Sequence, residues 1–141
     1  METASPRTVL LLITDPLERE QIRQSLAGTP CQFTVVRDAI ELLEELRTHE
    51  PDLMVLDLML PKGNLFELLS SLRAEGRLKH SPTIVVSSLG FPEIVDHAIA
   101  AGADDFVLKP IDARVFRKRA LRLLKLPLRP RPAQEEAPSG A

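Results

Sequence analysis

Five short apolar runs punctuate the chain: Val9–Ile13, Phe33–Val36, Leu53–Leu56, Ile84–Val86 and Phe106–Leu108. They are nearly continuous in Val, Leu and Ile, the pattern of strands covered on both faces rather than one. Between them apolar residues recur three or four apart: Ile22 and Leu26; Ile40, Leu43 and Leu46; Leu65, Leu68, Leu69 and Leu72; Ile94, Ala98 and Ala101; Phe116, Ala120 and Leu123. Strand and helix alternating five times leave few options. Parallel strands joined by right-handed crossovers give a doubly wound (βα)5 α/β sandwich, a fold that binds its ligands at the carboxyl ends of its strands.

The predicted helix ends agree with this order. Asp38 with Glu41, and Asn64 with Glu67, read as N-caps with an acid three residues on. Asp112 is a cap for the last helix. Pro16 and Pro92 fall where a first helical turn tolerates a missing N–H, and Gly76 and Gly102 follow helical patterns as left-handed stops. Pro51 and Pro82 precede strands without interrupting them.

Composition narrows the function classes. The 141 residues, 44% hydrophobic and 27% charged, suit one soluble core. Five Phe with no Tyr or Trp argue against a surface that stacks bases or sugars. A lone cysteine, Cys31, excludes an internal disulfide and a multi-cysteine metal site. No apolar run approaches the roughly 20 residues of a bilayer span, and the first eight residues carry no apolar signal segment, so a cytoplasmic protein without membrane contact is expected. His49, His80 and His97 lack ligand spacing and read as surface residues.

Chemistry is therefore expected at the strand ends. The first run closes in Ile13-Thr14-Asp15-Pro16, the third in Asp57, the fourth in Ser87-Ser88 and the fifth in Lys109-Pro110. Singly, each has an ordinary explanation as a loop cap, a solvated turn or a backbone-bonded hydroxyl. Together, a carboxylate nucleophile with a hydroxyl and a lysine at neighbouring strand ends form a phosphoryl constellation. The carboxylate can become an acyl phosphate, and the lysine and hydroxyl can bind the phosphoryl oxygens.

On these residues, and over roughly positions 8–125, the chain resembles the receiver domain of two-component response regulators. Pro-Asp-Leu-Met-Val-Leu-Asp-Leu-Met-Leu-Pro (51–61) matches the family's acceptor strand, which implies Asp57 as phospho-acceptor. Ala-Gly-Ala-Asp-Asp-Phe-Val-Leu-Lys-Pro (101–110) matches the segment of the family's lysine, which implies Lys109. Ser87 falls on the family's hydroxyl switch residue, and Phe106 on the aromatic that changes orientation on phosphorylation. The resemblance also implies a five-stranded sheet of order 2-1-3-4-5, a Mg²⁺ cofactor, and a histidine kinase or phosphotransfer protein as phosphoryl donor.

One part of the match fails. The family carries two adjacent acids after its first strand, which hold Mg²⁺ with the acceptor and a backbone carbonyl, here that of Met59. In one register Pro16 opens the first helix, the pair becomes Ile13-Thr14, and Asp15 is a loop residue; the spacing to Ile22 and Leu26 favours it. In the other, Thr14-Asp15 takes the pair and Asp15 remains a metal ligand. Lys62, near the pocket in sequence, either replaces lost metal charge or is an exposed loop lysine. Leu65 stands near where relatives have Gly, with Gly63 one position from compensating.

Two functions are thus expected to compete: a stand-alone phospho-accepting receiver, and a receiver-like interaction module that needs no phosphorylation. An enzyme is disfavoured. A haloacid-dehalogenase-type phosphatase needs a second acid where Met59 stands, Thr14-Asp15-Pro16-Leu17 is not a flavodoxin phosphate loop, and no Walker loop or HExxH is present. Between Asp112 and Arg131 the net charge is +7 against −9 elsewhere, read as a solvated helix face first. A partner or homodimer surface on the fourth and fifth helices comes second, and nucleic acid last. Residues 1–7 and the Pro-rich 126–141 are expected to be disordered or extended tails. With 8–125 needed for the sandwich, output is expected to pass through contacts with another chain.

Overall fold

In the computed structural model, which describes residues 6–128, strand and helix alternate five times. The order is β1 (Arg7–Leu12), α1 (Pro16–Ser25), β2 (Cys31–Val35), α2 (Ala39–Thr48), β3 (Leu53–Asp57), α3 (Leu65–Ala74), β4 (Thr83–Ser87), α4 (Pro92–Ala101), β5 (Asp105–Leu108) and α5 (Ala113–Leu124). All strand pairs are parallel and the sheet order is β2-β1-β3-β4-β5, as the resemblance implied.

The continuous apolar strands work as expected. Alternate residues feed two cores. Val9, Leu11, Ile13, Leu53, Val55, Ile84, Val86 and Val107 pack on one face with Ile22 of α1 and Phe116 and Ala120 of α5. Leu10, Leu12, Met54, Leu56, Val85 and Phe106 pack on the other with Leu42 of α2, Leu65, Leu69 and Leu72 of α3, and Ala98 of α4. Apolar side chains on both faces of every central strand make the sheet the middle layer of three.

The helix starts follow the sequence signals. Asp38 accepts from Glu41 N–H at 2.8 Å and Asn64 from Glu67 N–H at 3.2 Å, while Asp112 accepts from Arg114 and Val115 N–H. Pro16 and Pro92 occupy the first turns of α1 and α4. Two further carboxylates pin the amino ends of neighbouring strands: Asp52 accepts from Thr8 N–H and Asp104 from Thr83 N–H, both at 2.8 Å.

The ordered unit is slightly longer than expected at both ends. Arg7 pairs with Cys31 inside β1, and Leu126 donates to Leu121 O at 3.0 Å and packs on the core. The rest of the expected tails, residues 1–5 and 129–141, lies outside the described residues. No helix among the described residues is long and apolar enough to cross a membrane.

Candidate functional site

The carboxyl ends of β1, β3, β4 and β5 meet at one pole of the sheet. Asp57 closes β3 and is only 5% exposed, because the strand is buried along its whole length. Its Oδ2 accepts from Lys109 Nζ at 3.0 Å, and its Oδ1 faces the Met59 N–H at 3.4 Å. Lys109 follows β5 immediately, its side chain 18% exposed, and is joined to Pro110 by a cis peptide bond. The two residues stand 52 positions apart and are brought together only because β4 alone separates β3 from β5.

A residue that the sequence reading did not single out completes the cluster. Glu18, on the first turn of α1, places Oε1 2.9 Å from the same Lys109 Nζ. Burial favours the neutral form of Lys109, but the close carboxylates of Glu18 and Asp57 outweigh it and hold its pKa above the ordinary lysine value. The ammonium is thus clamped between two carboxylates. The available signal was indirect: a first-turn acid in a helix that begins at a strand's carboxyl end sits beside the site, but such an acid is equally explained by the helix dipole.

The hydroxyl and the aromatic lie on the opposite sheet face. Ser87 ends β4, is buried, and its Oγ accepts from Leu89 N–H at 2.8 Å, the local backbone bond of a strand-end serine. By strand alternation Ser87 shares a face with Val85, which pairs with Phe106 across β4 and β5. Phe106 is buried among these residues. Asp57 alternates instead with Leu53 and Val55, on the α1/α5 face.

The first strand end departs from what the second register required. α1 begins at Pro16, so Ile13 and Thr14 occupy the acid-pair positions. Ile13 is buried in the core and Thr14 is exposed. Asp15 is not a pocket residue: it is the exposed N-cap of α1, its Oδ1 accepting from Leu17 N–H at 2.9 Å. This is the register that the spacing to Ile22 and Leu26 favoured, although one residue of slip separates a strand-end acid from a helix cap. Lys62 and Ser88 are exposed, and Lys62 lies in the loop between β3 and α3. The Met59 side chain is exposed, while its N–H turns toward Asp57.

These donors do not fit Mg²⁺. The ion needs hard oxygen ligands in near-octahedral array, with carboxylates free to face it. Here the pair is Ile13-Thr14, Asp15 caps a helix, and Asp57 and Glu18 each give an oxygen to Lys109. Arg19 lays its guanidinium on Ile13 O at 2.7 Å and Thr14 O at 3.3 Å, adding positive charge at the end of β1. Among the described residues no group of three or more His, Cys, Asp or Glu is placed to hold a metal.

Three of the basic side chains of α5 are held within the chain. Arg117 donates to Ser25 O and Ala27 O, tying α5 to the end of α1. Arg119 and Arg122 bond Asp105 at 3.1 and 3.2 Å, and Arg119 also reaches Phe106 O.

Comparison with known proteins gives consistent results. The family profile described as response regulator receiver domain matches residues 9–121. The two-component response regulator ORR1 of Oryza sativa subsp. japonica is 31% identical over 125 residues, covering 81% of this chain and 54% of that protein. The probable transcriptional regulatory protein TcrX of Mycobacterium tuberculosis is 34% identical over 121 residues, with 82% and 50% covered. The chain therefore spans roughly half the length of these curated relatives, 54% and 50%. Among solved structures, the receiver domain of the Francisella response regulator 1452 aligns with a TM-score of 0.75 at 27% identity, over 84% of this chain and 97% of that one. A putative response regulator from Chloroflexus aurantiacus aligns at 0.78 and 22% identity, over 86% and 99%, a likeness of fold.

Proposed function

The chain belongs to the response regulator receiver domain family, and on that premise we propose that it accepts a phosphoryl group on Asp57 and passes the change to another protein. Receiver domains are signalling domains rather than enzymes, and the proposal keeps this chain within that class. The observation that carries it is the Asp57–Lys109 contact of 3.0 Å at adjoining strand ends. An anionic oxygen and a fixed cation stand together where a phosphorus would be attacked and its oxygens bound. The donor is a phosphohistidine on a histidine kinase or phosphotransfer protein. The Asp57 oxygen forms a bond to phosphorus, the P–N bond breaks, and the imidazole leaves with a proton from water. Lys109 then follows the phosphoryl oxygens. Ser87 exchanges its Leu89 bond for one of them, and Phe106, on the same face, responds.

Output is assigned to the α4–β5–α5 face. Ile99, Leu108 and Val115 stand exposed there at 45%, 52% and 41%, flanking the Asp105–Arg119–Arg122 ion pairs. A downstream protein or a second copy of the chain is the partner, in the cytoplasm. Nucleic acid is disfavoured because Arg117, Arg119 and Arg122 of α5 are already engaged within the chain.

Incubation with a small phosphoryl donor in millimolar Mg²⁺, followed by intact mass, tests the acceptor reading. One added phosphoryl group in the wild type and none in Asp57→Asn is expected. A wild type that gains no mass overturns it in favour of a phosphorylation-independent interaction module. The observation that favours this second reading is Asp15, turned away from the pocket as a helix cap.

A further inference from the structure

The segment Ile13-Thr14 offers Asp57 no acidic neighbour, yet Asp57 does not face Lys109 alone. Glu18 Oε1 is buried, and the Lys109 ammonium at 2.9 Å is the cation set against it, an ion pair without hydrogen-bond alignment. Two carboxylates and one ammonium leave this cluster one negative charge, and Arg19 adds a positive group on the carbonyls of Ile13 and Thr14. An arriving phosphoryl dianion would be repelled by an acid pair unless a metal lay between them. Replacing that pair by Ile13 and Thr14 thus removes the metal ligands and much of the repulsion a metal would offset.

We infer that phosphoryl acceptance in this chain does not use a divalent metal: Lys109, clamped between Glu18 and Asp57, is the resident cation, and Glu18 is the positioning residue that keeps it there. The inference rests on the acceptor reading of Asp57. In the transfer an Asp57 oxygen bonds to phosphorus as the donor's P–N bond breaks, and the leaving nitrogen takes a proton from water. Lys109 stays protonated and moves its hydrogen bond from Asp57 to the phosphoryl oxygens. A four-carbon side chain loses much rotational freedom when it is ordered. Glu18 imposes that order before the phosphoryl group arrives, and it holds the ammonium while Asp57 releases it.

The test is the rate of Asp57 phosphorylation by phosphoramidate, followed by intact mass, in chelator and in millimolar Mg²⁺, with Asp57→Asn as the control. The expected rates agree within about threefold, a barrier difference well under that of one decade in rate. A rate that collapses about tenfold or more in chelator overturns the inference and leaves the acceptor reading standing. No mass gain in either buffer overturns the acceptor reading itself. Glu18→Gln keeps the side chain's shape and removes its charge. It is expected to slow the chelator rate about fivefold, chiefly through a higher KM for phosphoramidate. A Glu18→Gln protein with wild-type kcat and KM in chelator overturns the role of Glu18, since a packing role alone would move the melt and leave KM in place.

Discussion

Lys109 carries the largest electrostatic burden of any single residue at this site, and its environment makes a definite statement about pH. Burial disfavours its charge, but Glu18 and Asp57 raise its pKa above the ordinary value. A cation whose pKa is raised by folding contributes stability that is complete below the unfolded lysine value of about 10.4 and lost as pH climbs through the higher folded one. Lys109→Met keeps the apolar stem and leaves two carboxylates, otherwise 2.9 and 3.0 Å from the ammonium, with no cation between them. We expect it to cost about 2–3 kcal/mol near neutrality, less than a fully buried pair because the side chains keep some solvent contact. The alkaline limb assigned to Lys109 should be absent from the variant. Urea unfolding of both proteins at neutral and alkaline pH measures both effects, and equal stability at neutral pH would contradict the clamp. At this scale Asp57 and Lys109 were legible because each sits in a sequence block with its own pattern. Glu18 was not, because its role depends on where β1 stops and how α1 turns, and a one-residue slip would have carried it elsewhere. The same slip separates Asp15 the helix cap from Asp15 the ligand, and only the position of Pro16 in the first turn of α1 decides between them.

Helix ends show why the elements themselves were easier to read. An N-cap and its partner lie two or three residues apart, so Asp38, Asn64 and Asp112 announce helices without any knowledge of the fold. The C-terminal ends divide on one choice of residue. α3, α4 and α5 all close with the same pair of bonds, i→i+3 and i→i+5, around a residue of positive φ: Gly76, Gly102 and Lys125. Gly102, at φ 129°, holds a backbone conformation that other residues rarely adopt, and a Cβ there would also displace the end of the Leu78 side chain, 2.9 Å away. Gly102→Ala is therefore expected to cost about 1–2 kcal/mol. Lys125, at φ 58°, is the non-glycine exception among the described residues, and its conformation is one a side chain adopts at a cost. Lys125→Gly should stabilise the protein by about 0.5–1 kcal/mol. Paired thermal melts of the two variants check both signs, and a destabilised Lys125→Gly would mean that the lysine makes a contact worth more than the strain. Strand bounds were less exact than helix starts, because the flanking polar residues Arg7, Thr83 and Asp105 carry backbone pairing that no apolar pattern reports.

For the whole molecule, the three-layer arrangement separates the groups proposed to receive the phosphoryl group from those proposed to respond. Asp57, Glu18 and Lys109 meet at the pole beside α1 and α5, whereas Ser87 and Phe106 belong by alternation to the face covered by α3 and α4. On that proposal a change at Asp57 has to cross the sheet, and β4 and β5 are the route the backbone offers. Leu58 N–H bonds Val86 O at 2.9 Å and Lys109 N–H bonds Ser87 O at 2.8 Å, so the backbone after each receiving residue is already tied to β4. Next to them the Ser87–Leu89 turn is held by a single hydroxyl bond, while β2 lies at the far edge of the sheet with β1 between it and β3. If Ser87 leaves Leu89 for the phosphoryl group, the Ser87–Phe91 turn and the Phe106–Lys109 strand end must shift together, and α2 and β2 have no reason to move. Amide spectra of the phosphorylated protein should place the largest changes outside β3 in residues 87–91 and 106–109, with residues 31–48 nearly unmoved. Changes confined to α1 and α5 would mean that the signal stays on the face that receives it. The α4 and β5 part of the proposed output surface would then lose its claim to the partner, because its exposed Ile99 and Leu108 lie on the responding side of this crossing.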